Sequence, residues 1–259
     1  MEHIIDEIAQ ELFVAEQRCL PILPITARYE NLQAEDAYRI QLKVLDAKLR
    51  SGRTVIGKKV GLTSQAMQKM LGVNEPDYGH LLDNMVIANH GTVSVSSLLL
   101  PKVEAEIGFV LKHDLEGPNV NYVDVMMATD YVVPTLEIID SRIADWKIKL
   151  VDTVADNGSS ALVVVGDQKT RIEGKDLRTV GMVLFQNGVE VGNGAGAAAL
   201  GHPAHAVAWL ANKLSEFGIG LKAGELILPG ALSGAVAVNQ GDIVTAKFGG
   251  LGSVTVTFQ

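Results

Sequence analysis

Three glutamates interrupt stretches that otherwise look like buried strands. Glu104 and Glu106 lie two residues apart in KVEAEI, and Glu137 lies within the apolar run VVPTLEII. Side chains alternate between the faces of a strand, so Glu104 and Glu106 point the same way, with backbones about 7 Å apart. Three buried carboxylates repel one another unless a cation lies between them. Oxygen ligands of this kind favour Mg²⁺ or Mn²⁺.

The same glutamates also fit a structural role without a metal. Glu104 and Glu106 would then line the solvated face of an edge strand, and Glu137 would pair with a nearby Lys or Arg. The motif E-x-E does not separate these alternatives, because alternating glutamates are common on strands. The run around Glu137 favours the metal site, because apolar residues at nearly every position are typical of a strand covered on both faces.

Four further residues have types that could complete such a site. Lys59, in GKKVG, could place a cation beside an anionic substrate, although an ordinary exposed lysine fits the same pattern. Asp77, in PDYG, suits proton transfer from a loop, but Asp in this motif also forms turns. Ser159 and Ser160 follow the turn sequence DNG and could offer hydroxyls to a ligand or cap the turn. Residue types alone leave these alternatives open.

The elements that carry these residues are predicted to form two parts. Apolar residues at helical spacing predict helices over 3–20 and 34–51. After the second helix, short β-branched runs are broken by Gly, Asn and Asp, which is typical of strands and turns. We therefore expect an N-terminal helical segment at 1–53 and a catalytic β-rich domain at 54–259.

Within the second part, the pattern predicts several strands and two helices. The predicted helices cover 64–71 and 203–217, and the predicted strands cover 103–111, 135–140, 179–185, 189–191, 225–228, 235–238, 243–248 and 253–258. Between two of these strands, Asn187-Gly188 predicts a tight hairpin, because both residue types adopt positive φ angles readily.

Composition excludes several classes of protein. The chain has 259 residues, 47% of them hydrophobic, which is enough for a large core. A net charge of −8 argues against nucleic-acid binding, which needs clustered Lys and Arg. The single Cys19 excludes an internal disulfide framework, and the acidic, amphipathic N-terminus does not resemble a secretory signal. With no apolar run of membrane-spanning length, we expect a cytoplasmic protein without nucleic-acid or membrane partners.

Long stretches of the chain resemble the fumarylacetoacetate hydrolase superfamily. Within it they are most similar to the branch of 2-hydroxypenta-2,4-dienoate hydratases and 2-oxo-3-hexenedioate (4-oxalocrotonate) decarboxylases. The resemblance covers nearly the whole length. It is carried by GKKVGLTSQAM, EPDYGHLLDNM, PKVEAEIGFVL, YVVPTLEIIDSRIADWKIKLVDTVADN, GAGAAALGHPAHAVAWLANKL and GDIVTAKFGGLGSV.

This resemblance implies a fold and a complete site. The fold is of the mixed α+β class, with a β-roll or barrel-like sheet body behind the N-terminal helices. The metal ligands for Mg²⁺ or Mn²⁺ would be Glu104, Glu106 and Glu137. The catalytic residues would be Lys59, Asp77 and Ser159, and the substrate-binding residues Lys59, Ser159 and Ser160. Members commonly assemble into pentamers or decamers, so a homo-oligomer is expected.

Two reactions remain open within this branch, because both use one site that stabilises an enolate. The segments around PDYG and SRIADWKIKLVDTVADN resemble the hydratases, whereas decarboxylases tend to lack the Asp at position 77. Against this, Thr135 and Ser159-Ser160 also resemble the decarboxylases. We expect a hydratase that converts 2-hydroxypenta-2,4-dienoate into 4-hydroxy-2-oxopentanoate in aromatic meta-cleavage catabolism. The alternative is a 2-oxo-3-hexenedioate decarboxylase.

A noncatalytic role is a second alternative. The chain would then bind a 2-oxo acid or support a partner enzyme, since hydratases and decarboxylases of this branch can associate with each other. The presence of all three glutamates together with Lys59 and Asp77 disfavours this role, because a supporting subunit has no need of a complete site.

Overall fold

The computed structural model describes residues 1–64, 68–69, 73 and 75–259. The α-helices of these residues are α1 (Glu2–Arg18), α2 (Ile25–Arg28), α3 (Ala34–Arg50), α4 (Tyr122–Ala128), α5 (Leu150–Ala155) and α6 (Pro203–Ser215). The strands are β1 (Val55–Gly61), β2 (Asp77–Leu82), β3 (Val86–Ala88), β4 (Gly91–Val93), β5 (Lys102–Leu111), β6 (Thr129–Ile139), β7 (Ser160–Val165), β8 (Gly181–Gln186), β9 (Val189–Ala195), β10 (Leu226–Leu228), β11 (Val236–Ala237), β12 (Ile243–Phe248) and β13 (Gly252–Phe258). Among the described residues, no helix has the length and apolar character needed to cross a membrane.

The two predicted N-terminal helices are present as α1 and α3. Helix α1 buries Ile5, Ile8 and Leu12, which recur at helical spacing on one face. Helix α3 packs against both α1 and α5. Its buried face includes Ile40 and Gln41, so a polar side chain reaches into the interior beside the apolar ones. The short helix α2 was not predicted.

The strands form two open mixed sheets, and the expected α+β class is confirmed. The larger sheet has the order β2-β1-β10-β5-β6-β7-β3, with β11 also paired to β5. The smaller sheet has the order β4-β13-β12-β8-β9. Three strand pairs, β1–β10, β3–β7 and β4–β13, are parallel, and the others are antiparallel. The described strands do not close into a barrel.

Strands β5 and β6 form the centre of the larger sheet. Val103, Ala105, Ile107 and Phe109 alternate along β5 and are fully buried on the face away from the glutamates. Strand β6 begins at Thr129, earlier than the predicted start at 135, and runs through Pro134. Pro134 has no N–H to donate to the ladder, but its carbonyl accepts a hydrogen bond from Gly166 N at 2.8 Å.

Most other predicted elements lie within a few residues of their expected bounds. The β8–β9 hairpin turns at Asn187 and Gly188, whose φ angles of 53° and 79° are both positive, as the sequence predicted. Helix α6 ends before Gly218, which has a φ of 71°. The predicted helix at 64–71 falls largely on residues outside the described ranges.

A buried ion pair between Arg142 and Asp156 anchors the chain next to α5. Asp156 also accepts hydrogen bonds from Arg142 N at 3.0 Å and from the Ser141 hydroxyl at 3.1 Å. Burial raises the pKa of Asp156 to about 6, although the charge of Arg142 and these hydrogen bonds act in the opposite direction. Removing the arginine would therefore leave a buried carboxylate without its compensating charge.

We expect Arg142→Met to lower the free energy of unfolding by about 3–5 kcal/mol, because one partner of a buried pair stays behind. Denaturant-induced unfolding measures this change. The matched control is Arg50→Met, which removes an exposed (i, i+4) pair with Asp46 and should cost less than about 1 kcal/mol. Equal losses for the two variants would contradict the structural role of Arg142.

Candidate metal and catalytic site

Strand pairing brings the three glutamates together. Glu104 lies directly opposite Glu137 in the β5–β6 ladder, and Glu106 is the next residue on the same face of β5. One carboxylate oxygen from each glutamate lies within 4.8 Å of the others. Glu106 and Glu137 are 0% exposed, and Glu104 is partly exposed. Because β5 lies between β10 and β6, the alternative of a solvated edge strand is wrong.

The carboxylates lack enough counter-charge and hydrogen-bond partners. Burial, together with the charge of Glu137, raises the pKa of Glu104 to about 7. Burial and the charges of Glu137 and Glu104 raise the pKa of Glu106 well above its usual range. Glu106 Oε2 accepts a hydrogen bond from Gly230 N at 2.7 Å. Glu106 Oε1 and both oxygens of Glu137 are buried without a hydrogen-bond partner among the described residues. A hard divalent cation would supply the missing positive charge and would coordinate the oxygens that have no hydrogen bond. The donor set therefore fits Mg²⁺ or Mn²⁺.

Lys59 lies beside this cluster with its side chain buried. It is 2% exposed, so the alternative of an ordinary exposed lysine is wrong. Its Nζ donates to Gly158 O at 2.8 Å and lies 3.4 Å from Asp77 Oδ1 and 3.6 Å from Glu137 Oε1. Burial alone lowers the pKa of Lys59, but the charges of Asp77 and Glu137 outweigh that effect and raise it. Lys59 therefore stays an ammonium ion at neutral pH.

Asp77 is the first residue of β2, at the end of the loop on which it was expected. It lies opposite Gly61 in the β1–β2 ladder, and Lys59 occupies the same face of β1 two residues earlier. The Thr153 hydroxyl donates to Asp77 Oδ2 at 2.7 Å. Lys59 and Thr153 thus contact different oxygens of one buried carboxylate.

The two predicted serines are both buried, with hydroxyls in different environments. Ser159 donates its hydroxyl to Asp156 Oδ2 at 3.4 Å, so this group is turned toward the buried ion pair. The Ser160 hydroxyl is buried and has no hydrogen-bond partner among the residues that the structure describes. The atom of this segment that contacts Lys59 is the backbone carbonyl of Gly158.

An uncommon left-handed turn presents that carbonyl. Asn157, Gly158 and Ser159 have successive φ angles of 57°, 58° and 54°. The left-handed conformation costs roughly 1–2 kcal/mol at each residue that carries a Cβ. The Asn157 side chain compensates by pairing with the backbone of His80, accepting from its N at 2.7 Å and donating to its O at 2.9 Å. The turn is thereby fixed to β2, the strand that carries Asp77.

A cavity of about 270 Å³ reaches Glu104 from outside. It is lined by small, apolar or hydroxyl-bearing residues, namely Leu62, Thr63, Ser64, Ala198 and Ala231–Ala235, together with Glu104. In the described part of the chain, Glu104 is the only charged side chain of this lining. The cavity therefore suits an uncharged part of a ligand whose polar end lies at the glutamates.

Comparison with known proteins gives consistent matches. The family model of the fumarylacetoacetate (FAA) hydrolase C-terminal matches residues 54–259. A 2-keto-4-pentenoate hydratase of Paraburkholderia xenovorans is 48% identical over 254 residues, which are 98% of this chain and 94% of that protein. A 4-oxalocrotonate decarboxylase of Pseudomonas putida is 43% identical over 251 residues, which are 97% of this chain and 95% of that protein. The structure of a 4-oxalocrotonate decarboxylase from Pseudomonas putida G7, complexed with magnesium and adipate, has a TM-score of 0.96 at 41% identity and covers 100% of this chain and 98% of that one.

Proposed function

The chain belongs to the fumarylacetoacetate hydrolase family, and from this premise we propose that it is a divalent-metal-dependent hydratase of 2-hydroxypenta-2,4-dienoate. The product is 4-hydroxy-2-oxopentanoate. The observation that carries the proposal is the buried Lys59–Asp77 pair beside the three glutamates. Addition of water to a dienol requires a group that moves protons, and Asp77 is a carboxylate held next to the cation-binding face.

Glu104, Glu106 and Glu137 would hold the cation, Mg²⁺ or Mn²⁺. Support comes from the three buried glutamate oxygens that lack hydrogen-bond partners among the described residues, and from the related decarboxylase that was solved with magnesium. When bound, a divalent cation supplies Lewis-acid polarisation of a 2-oxo group. The remaining steps fall to side chains of this chain.

Asp77 would transfer the protons of the reaction, and Lys59 would stabilise the negative charge that develops. Loss of the 2-hydroxyl proton and protonation at carbon 5 convert the dienol into an α,β-unsaturated 2-oxo acid. Water then adds at carbon 4, and a proton is added at carbon 3. Asp77 moves these protons through Oδ1, because Oδ2 accepts the Thr153 hydroxyl. Lys59 stabilises the negative charge on the enolate. Its effect is strong because the buried ammonium is shielded from water.

A 2-oxo-3-hexenedioate decarboxylase is the second candidate, favoured by the likeness to the decarboxylase structure. Its substrate carries a second carboxylate at the end far from the 2-oxo group. That group would have to enter the outer cavity, where the described lining offers no cation to pair with it. Burying a carboxylate without a partner is costly, so the cavity favours a substrate with an uncharged end.

Parallel assays of both substrates test the proposal. With Mg²⁺ or Mn²⁺, the purified protein should convert freshly made 2-hydroxypenta-2,4-dienoate, so that its ultraviolet absorbance falls. NMR should identify the product as 4-hydroxy-2-oxopentanoate, and EDTA should stop the reaction. Release of CO₂ from 2-oxo-3-hexenedioate without hydration would establish the decarboxylase instead. No turnover of either substrate, with stimulation of a sister hydratase or decarboxylase, would establish the noncatalytic role.

The assembly is a further part of the proposal. We expect a homo-oligomer, a pentamer or decamer, with residues 1–53 as a helical segment attached to the catalytic domain at 54–259. Light scattering coupled to size-exclusion chromatography measures the assembly, and a monomer at micromolar concentration would contradict it. Co-purification with a sister enzyme of the branch tests the proposed complex.

Gly61 offers a direct test of the Lys59–Asp77 geometry. A Cβ atom at Gly61 would clash with Asp77 Oδ1 and would lie 2.8 Å from Lys59 Nζ. Gly61→Ala should therefore displace both groups and lower kcat by about a hundredfold, as misplacement by about 1 Å can. The control is Gly181→Ala, where a Cβ would meet no atom within 4 Å. Equal kcat values for the two variants would exclude the pair from the reaction.

A further inference from the structure

Thr153 makes a short contact with the carboxylate that is proposed to move protons. Its hydroxyl donates to Asp77 Oδ2 at 2.7 Å, and both residues are buried. The other oxygen of Asp77 lies 3.4 Å from Lys59 Nζ, which is longer than a strong charge-assisted hydrogen bond. Lys59 makes its shorter hydrogen bond to Gly158 O, at 2.8 Å. The carboxylate therefore makes its short hydrogen bond to the neutral hydroxyl and only a longer contact to the ammonium.

We infer that Thr153 is a positioning residue that holds the Asp77 carboxylate away from a tight ion pair with Lys59, in the orientation used for proton transfer. The inference rests on the proposed hydratase function. Without the hydroxyl, Oδ2 loses its donor inside the protein and the carboxylate gains by turning both oxygens toward Lys59. Asp77 would then be bound to Lys59 and would face the substrate less well.

Thr153 can act in this way because neighbouring residues fix its position. The preceding residue, Asp152, accepts hydrogen bonds from Thr26 N at 3.0 Å and from the Thr26 hydroxyl at 2.7 Å. The carbonyl of the following residue, Val154, accepts from Gln41 Nε2 at 2.6 Å. Thr26 and Gln41 both belong to the N-terminal helical part, so that part holds α5 on either side of Thr153.

Gln41 also holds the strand that carries Asp77. The same Nε2 atom donates to Tyr78 O at 2.9 Å, one residue after Asp77. A single amide group therefore links β2 to α5 and sets the separation between the Asp77 and Thr153 backbones. Positioning residues work best when their own rotamers and backbone are locked by such contacts.

Two substitutions separate positioning from simple packing. Thr153→Val keeps the shape of the side chain but removes the donor, and Thr153→Ser keeps the donor. With 2-hydroxypenta-2,4-dienoate, Thr153→Val should lower kcat at least tenfold, leave KM and Mg²⁺ affinity within twofold, and increase the solvent deuterium isotope effect on kcat. Thr153→Ser should stay within threefold of the unchanged protein. Thr153→Val added to Asp77→Asn should lower kcat no further, because the group it positions is already gone.

A crystal structure of metal-free Thr153→Val gives a measurement that does not depend on turnover. The distance between Asp77 Oδ1 and Lys59 Nζ should fall below 3.4 Å. An unmoved Asp77, an unchanged kcat, or equal losses in the Val and Ser variants would each overturn the inference. If the unchanged protein fails to hydrate the dienoate, the proposed function fails, and the crystallographic distance still decides whether Thr153 positions Asp77.

Discussion

Glu106→Gln should reduce turnover on the order of a thousandfold, since Lewis-acid polarisation contributes several kcal/mol and each 1.4 kcal/mol is tenfold in rate. The amide keeps the shape of the side chain but removes one negative charge from the group of three glutamates. Glu106 is fully buried and fixed by Gly230 N, so no other described residue takes its place without movement. The loss of this ligand should also weaken Mg²⁺ binding. Steady-state kinetics measure the fall in turnover, and calorimetric titration with Mg²⁺ measures the fall in affinity. An active, metal-independent variant would contradict the site.

The same substitution should have the opposite effect on the stability of the metal-free protein. Burial and the charges of Glu137 and Glu104 raise the pKa of Glu106, so its ionised form destabilises the fold at neutral pH. Metal-free Glu106→Gln should therefore melt at a higher temperature than the unchanged protein, whereas Mg²⁺ should raise the melting temperature of the unchanged protein but not that of Glu106→Gln. The control Glu173→Gln, at an exposed position, should change neither the melting temperature of the metal-free protein nor its increase with Mg²⁺. If metal-free Glu106→Gln and Glu173→Gln melted at the same temperature, the three glutamates would not repel one another.

The local sequence pattern predicts only part of the glutamate cluster. The two-residue spacing placed Glu104 and Glu106 on one face of a strand, and the structure has them there. The position of Glu137 depends on which strand pairs with β5 and in which register, and that register is set by contacts distant in sequence. The family resemblance supplied this non-local information, because similarity over the whole chain implies the same strand pairing and register.

Other contacts in the site left no signature in residue types. The sequence drew attention to the hydroxyls of Ser159 and Ser160, yet the group that contacts Lys59 is the carbonyl of Gly158. Every residue has a backbone carbonyl, so only the left-handed turn distinguishes this one. Thr153 was missed for a related reason: its contact with Asp77 follows from how α5 is held by the N-terminal helices, not from any motif around it.

Asp77→Asn should lower kcat by about 10²–10⁴-fold, the range over which a positioned acid–base group contributes. The amide is nearly isosteric, but it has one oxygen where the carboxylate has two. That oxygen can accept from the Thr153 hydroxyl or face Lys59, not both, and the amide cannot exchange protons with the substrate. The three glutamates are untouched, so Mg²⁺ affinity should change little.

The kinetic pattern of this variant distinguishes proton transfer from binding. KM should stay within a few-fold while kcat falls, because an interaction made only in the transition state is lost. The matched control is Asp145→Asn, at an exposed residue with a positive φ of 58° that Asn adopts readily, and it should leave kcat unchanged. If Asp77→Asn retained full turnover, protons would have to move through another group. Among the described residues, Lys59 would then be the candidate proton donor, because its buried ammonium contacts both Asp77 and Glu137.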